Sequence, residues 1–306
     1  LHLLCTKTAE VGVSMMKSTE KAVFKDAAFY FDVIREITPA ILRHEYKFMR
    51  DDVFDRLVKS DEVTPSMLNQ ILSLELIDKA HLAATSALLR TKRWADAVCL
   101  MYEAENFLGW ASSARGLLES SGDIVDGLLD IPYSLAEHHR QIAQGLSGSA
   151  SQDLHGYSQF ENKLDHFVFA KWMRAKKGEE NILKAKDNAA YIELIERVMP
   201  NAKSYYQRLC GITHPSNASL EFLVDDNTST GGPLRLSASN DRQAITAMCA
   251  EFPTALSVTL EMSCNPALLI LRVLHKFGVH PKLAFFKKMH WANIKMWPDI
   301  ERFLKS

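Results

Sequence analysis

The stretch AENFLGWASSARGLLESSGDIVDGL, Ala104–Leu128, decides the fold. Ala104, Phe107, Leu108, Ala111, Ala114, Leu117, Leu118, Val125 and Leu128 recur at three- and four-residue steps, the stripe that one face of an α-helix presents. Its middle is built of small residues (Gly109, Ala111, Ser112, Ser113, Ala114, Gly116), so a neighbouring helix can approach closely. The same periodicity extends back to about residue 81, and Pro132 ends it because proline cannot donate inside a helix.

Reading outward, the rest of the chain is helical nearly throughout. Residues 8–35 carry Val11, Met15, Val23, Ala27, Phe31 and Ile34 on one face. Thr64-Pro65 is a helix start, with Thr as N-cap and Pro at the first helical position. Further helices are predicted over 133–146, 160–177 and 187–210, and LSGSASQDLHGYSQ (146–159) reads as a linker. Residues 219–239 read as two short strands around the turn NTSTGG. A helix opens at Asn240-Asp241 and is kinked by Pro253. Asn265-Pro266 restarts it, and Phe277-Gly278 closes it. Residues 282–305 form a last amphipathic segment. The fold class expected is all-α, a helical bundle with a small β-hairpin insertion.

Composition agrees. Of 306 residues, 47% are hydrophobic and 24% charged, the balance of a folded chain. Thirteen Gly and ten Pro are few for a turn-rich sandwich, barrel or Rossmann sheet. The five cysteines are odd in number and hold no C-x-x-C spacing, which argues against a disulfide framework or a Cys-based zinc site. No uninterrupted apolar run reaches the ~18 residues of a membrane span, and the first residues lack the pattern of a signal peptide. A cytoplasmic location without membrane association is expected.

The P-loop, the G-x-G-x-x-G fingerprint, H-E-x-x-H and G-x-S-x-G are all missing from the sequence. The segment that points to chemistry is YYQRLCGITHPS, Tyr205–Ser216. Arg208 lies near a helix end that Gly211 weakens. Pro215 disfavours helical backbone at His214. The helix is expected to stop within a turn of Arg208, and the bend to return His214 beside the guanidinium. Such a pair suits a phosphodiester: Arg clamps phosphate oxygens, and His exchanges protons with an attacking or leaving hydroxyl. A structural reading stands beside it, with Arg208 paired to Glu119 across two helices and His214 capping helix carbonyls. Arg115, Glu119 and Asp123 share a face at four-residue steps. They serve as a salt-bridged stripe, or else Glu119 orients Arg208.

The R-x5-H spacing at a helix end resembles the R-x4–6-H motif of HEPN domains. Ala114-Arg115-Gly116-Leu117-Leu118-Glu119, with the Tyr-rich helix ending in His-Pro-Ser, is similar to an uncharacterised bacterial HEPN-like family. The resemblance covers roughly residues 80–275. It implies an HEPN-like bundle over 81–277, preceded by a helical region (1–80) and followed by a basic aromatic tail (278–306). It also implies a metal-independent RNA endonuclease of the toxin or anti-phage defence type, formed as a homodimer around a composite cleft. Arg208 and His214 would be catalytic, with Glu119, Arg115 and Tyr205 in support. RNA would be the substrate and an antitoxin or defence-system protein the partner, with no cofactor. A non-catalytic dimerisation, regulatory or nucleotide-binding module is the alternative.

Two basic patches are candidates for nucleic-acid binding: Lys171, Arg174, Lys176 and Lys177, and the tail with Lys287, Lys288 and Trp291. From Arg272 onward the chain carries a net charge of +6, which leaves −7 on the rest. Basic groups with interleaved aromatics can grip a phosphate backbone and stack on bases. The other reading of the tail is an amphipathic segment with docked aromatics and solvated lysines. His138, His139, Asp153, His155, Asp165 and His166 have no spacing that supports a metal site, and none is expected.

Overall fold

The computed structural model describes residues 17–60, 63–149, 156–170, 184–226, 231–237, 240–287 and 289–306. It is mostly helical, with one small antiparallel sheet, as the all-α reading expects. The helices are α1 (17–24), α2 (Phe29–Ile41), α3 (Asp51–Val58), α4 (Pro65–Glu103), α5 (Phe107–Leu128), α6 (Ile131–Glu137), α7 (His139–Ser147) and α8 (Ser158–Phe169). They continue as α9 (Asn188–Glu196), α10 (Ala202–Thr213), α11 (Asp241–Glu251), α12 (Ala255–Leu274) and α13 (Trp297–Lys305). Strands β1 (Val224–Asp226) and β2 (Leu234–Leu236) pair antiparallel with Asp225 opposite Arg235, inside the segment expected to form a hairpin.

Several boundaries differ from the sequence reading, each for a local reason. A 3-10 turn at Lys25–Ala28, with Lys25 in the left-handed region, separates α1 from α2; residues 8–16 of that expected helix lie outside the described residues. The long signal over 81–129 is two helices. Glu105 takes φ 52° and the Asn106 side chain accepts the Gly109 amide, which starts α5. Pro65 opens α4 and the Met67 amide donates to Thr64 Oγ1 at 3.3 Å, the expected cap. Pro266 restarts nothing: α12 runs continuously through it. By length and composition alone α12 could span a bilayer, although polar residues interrupt its apolar stretch. Yet 72% of its apolar window is buried in the protein, the pattern of a core helix.

The chain forms two compact units, each assembled from separated segments, so neither coincides with the contiguous regions read from the sequence. The first comprises residues up to Ile34, Leu89–Asp123 and Asp187–Ser263. Its core includes Phe24, Phe31, Trp110, Leu117, Leu118, Ile195, Tyr205, Leu209 and Ile245. Close approach depends on the small residues of α5. A Cβ on Gly116 would lie 2.7 Å from the Trp94 ring, and one on Gly122 would lie 2.5 Å from Tyr191 Cβ. The second unit comprises Arg35–Leu88, Ile124–Lys186 and Cys264–Ser306. Leu76, Ile77, Leu88, Leu128, Leu135, Leu164, Leu268 and Ile300 are buried in it, and α13 packs on α6.

Candidate functional site

The first unit gathers a polar cluster from α5 and α10. Arg115 Nε donates to Glu119 Oε1 at 2.8 Å, one helical turn on. The Tyr206 hydroxyl donates to the same carboxylate oxygen at 3.0 Å, and the Arg115 guanidinium lies 5.7 Å from the Tyr206 ring centre. From Nη1, Arg115 reaches Thr213 Oγ1 at 3.2 Å and His214 Nε2 at 3.3 Å. Arg115 and Glu119 are half-buried, while His214 is exposed.

Local chemistry places His214. Helix α10 continues to Thr213, further than expected, and His214 then turns extended (φ −93°, ψ 154°), as the following proline requires. Ser216 ties the turn down: its hydroxyl donates to the Gly211 carbonyl, and Ser216 and Ser219 form a reciprocal capping box. Arg115 Nη1 and His214 Nε2 lie within hydrogen-bond distance, and the arginine N–H donates to that nitrogen in the tautomer that carries its proton on Nδ1.

The electrostatics follow from Glu119. Burial works against the Arg115 charge, but the hydrogen bond and charge of Glu119 outweigh it and hold the guanidinium above its usual range. The Tyr206 phenol is pushed up to about 12, by burial first and then by its contacts with Cys210 and Glu119. Tyr206 therefore stays a hydrogen-bond donor at neutral pH.

Arg208 does not join this cluster. Because α10 stays helical past it, Arg208 and Thr213 at the helix end point about 140° apart around the axis. Arg208 Nε lies 3.8 Å from Glu251 Oε2, both half-exposed, and Glu119 is occupied by Arg115 and Tyr206. The expectation that Glu119 orients Arg208 is therefore replaced: Glu119 orients Arg115. Arg208 instead lines a cleft of about 120 Å³ with Phe107, Ile212, Phe222, Met248 and Glu251. Asp241 Oδ1 accepts the Phe107 amide at 2.8 Å, joining the starts of α5 and α11 beside this cleft. Leu209, next to Arg208, is fully buried, so core packing accounts for an apolar residue there.

Tyr205 also departs from its expected role. It is buried against Phe252, and its hydroxyl has no hydrogen-bond partner among the described residues. Its neighbour Tyr206 takes the polar position, a choice between adjacent residues that helical phase made and periodicity could have shown. Trp291 is likewise unavailable for base stacking. It is buried between Phe286 and Trp297, donates its indole N–H to the Phe286 carbonyl, and faces the Arg272 guanidinium. Lys287 is exposed, while Lys171, Arg174, Lys176, Lys177 and Lys288 lie outside the described residues.

The histidines weighed from sequence as metal ligands have local partners. His138 and His139 contact the carbonyls of Ser134 and Ala136, and His166 contacts that of Lys184. Asp165 pairs with Lys79, and Asp153 and His155 lie outside the described residues.

No protein-family model, curated protein or solved structure matches the chain.

Proposed function

We propose that the protein is a metal-independent RNA endonuclease of HEPN-like type that acts through Arg115 and His214. The observation that carries this reading is the 3.3 Å contact between the Arg115 guanidinium and His214 Nε2 at the exposed end of α10. It sets a permanent positive charge beside a proton acceptor, the combination a phosphodiester needs.

In the proposed reaction Arg115 turns from His214 Nε2 to the phosphate, and the freed lone pair takes the proton of a ribose 2′-hydroxyl. The O2′ forms a bond to phosphorus, and the P–O5′ bond breaks. The departing 5′-oxygen takes a proton from His214 of a second copy, which enters the step as the imidazolium and leaves it neutral. The products are a 2′,3′-cyclic phosphate and a 5′-hydroxyl. Arg115 offsets the charge that builds on the non-bridging oxygens, and Glu119 with Tyr206 holds it in place. Arg208 contributes to RNA binding from the neighbouring cleft. A toxin or defence setting, with an antitoxin-like partner, belongs to the same proposal.

The test is cleavage of a fluorescent RNA by the purified full chain in EDTA, with the DNA of the same sequence as control. RNA cleavage that His214→Ala abolishes supports the reading. Cleavage that survives His214→Ala, or equal cleavage of DNA, overturns it. The pairing of Arg208 with Glu251 beside an apolar cleft favours a second reading, a non-catalytic dimerisation, regulatory or nucleotide-binding module. RNA or nucleotide binding without cleavage under the same conditions supports that one.

A further inference from the structure

The second unit holds a histidine cluster that no sequence spacing announces. His44 follows α2, His81 sits within α4, and His280 follows α12. Gly278 makes the last position reachable: its φ of 69° reverses the chain after α12. One ligand atom from each of the three side chains lies within 4.8 Å of the others. His81 and His280 are buried, and His44 is partly so.

Buried imidazoles normally spend their nitrogens on hydrogen bonds. These do not. Among the described residues, His44 Nε2 and both ring nitrogens of His280 are buried with no partner at good hydrogen-bond geometry, and the Ile77 backbone makes only a weaker polar contact with His280. His280 Nε2 lies 3.3 Å from Asp78 Oδ1, within ion-pair distance but without hydrogen-bond geometry. The rings of His81 and His280 stack at 3.8 Å, and that of His44 stands across His280 at 4.8 Å. Such stacking suits neutral rings. Burial, and then the neighbouring histidines, hold His81 down at about 3; burial and His44 hold His280 at about 4. At neutral pH all the lone pairs needed for ligation by these two are present.

We propose that His44, His81 and His280 bind a divalent first-row transition ion of the zinc class. Three imidazoles suit such ions and do not suit magnesium or calcium, which take oxygen ligands. Tetrahedral zinc with Zn–N bonds of about 2.0–2.1 Å sets its nitrogens about 3.3 Å apart, so atoms that lie within 4.8 Å of one another close by up to about 1.5 Å on binding. Stacked rings aim their lone pairs in parallel, so ligation turns His280 about χ2 while Tyr46 holds His81. Asp78, beside His280, supplies negative charge as a fourth ligand or as an outer-sphere partner.

A second shell for His81 is already built. The Tyr46 hydroxyl lies 2.6 Å from His81 Nδ1 and 3.2 Å from Thr85 Oγ1, and Thr85 donates to the His81 carbonyl at 2.8 Å. Run in one direction, the chain has Nδ1–H donate to Tyr46, Tyr46 to Thr85, and Thr85 to the backbone. That direction leaves His81 Nε2 as the ligand atom, and fixing a tautomer in this way is what outer-shell partners of metal-bound histidines do.

This site lies wholly in the second unit and does not rest on the nuclease reading, which is tested in EDTA. The experiment strips the full-length protein with EDTA, removes the chelator, and titrates with Co²⁺ while visible absorption is recorded, then repeats with Zn²⁺ as competitor. The expected result is one ion per chain with the d–d bands of nitrogen-ligated Co²⁺, displaced by Zn²⁺. His81→Ala and the less buried His44→Gln should each abolish or greatly weaken binding. Tyr46→Phe, which keeps all three imidazoles and serves if a histidine variant misfolds by circular dichroism, should weaken it about 10- to 100-fold. Absence of one-to-one binding at micromolar Co²⁺, or binding that folded His44→Gln and Tyr46→Phe leave unchanged, overturns the proposal.

Discussion

Arg115 on α5 donates toward Nε2 of His214 at the end of α10, 3.3 Å away and 99 residues on in sequence. Glu119 holds the arginine from one side, while Thr213 takes a second contact from the same nitrogen. A surface arginine alone would be a mobile charge. Here its planar fork is committed in two directions, so its charge is presented beside the imidazole at little further entropic cost.

The two arginines should separate in kinetics. Arg115→Ala should lower kcat by about 10²- to 10³-fold, the size of a lost transition-state charge contact. Arg208→Ala should raise KM with kcat nearly unchanged, because it removes binding that ground and transition states share. Steady-state cleavage of a fluorescent RNA by each variant reads the split directly.

His214→Ala should remove activity by about 10²- to 10⁴-fold while moving stability by no more than about 0.5 kcal/mol, as expected for an exposed side chain. Urea melts beside the cleavage assay check both halves. A large loss of stability would mean that the imidazole serves to cap the helix.

Glu119→Gln should release the Tyr206 phenol from about 12 toward its ordinary value near 10. The carboxylate charge that opposes phenolate formation is gone, although burial and Cys210 remain. Difference titration at the phenolate absorbance, with Tyr206→Phe as reference, measures the shift. Cleavage should fall in the same variant because Arg115 loses its anchor.

Acid should destabilise the metal-free protein through His81 and His280. Both have folded values below the unfolded 6.5, so the stability they confer is complete above 6.5 and is lost as pH falls toward about 3 and 4. Each proton costs up to about 1.4 kcal/mol per pH unit in that window. Asp78, whose carboxyl burial holds above its usual range, works in the opposite sense: its contribution is complete below the unfolded value near 3.8 and is lost as pH rises through its higher folded value. Urea midpoints between pH 7 and 4.5, in EDTA, should fall steeply in the native chain and less so in His81→Gln.

Gly122→Ala should destabilise the protein by about 1–3 kcal/mol, the cost of overpacking. The added methyl would meet Tyr191 Cβ at 2.5 Å and the Tyr191 backbone at 3.2 Å, and backbone cannot give way as a flexible side-chain end can. A thermal melt suffices to check it.

Helix content, the cap at Pro65, the extended backbone at His214 and the hairpin were legible in the sequence because they depend on near neighbours: periodicity, proline sterics and turn residues. The phase of α10 was nearly so, since Tyr206 and Thr213 share a face that Arg208 does not. Which charges meet was not legible. Arg115 pairs with His214, and Arg208 with Glu251, because helices distant in sequence pack in one register, and a single helical step exchanges Tyr205 for Tyr206. The His44, His81 and His280 cluster shows the same limit most plainly. Its members come from two chain segments and a helix with no fixed spacing, and only the packing that buries them side by side makes them one group.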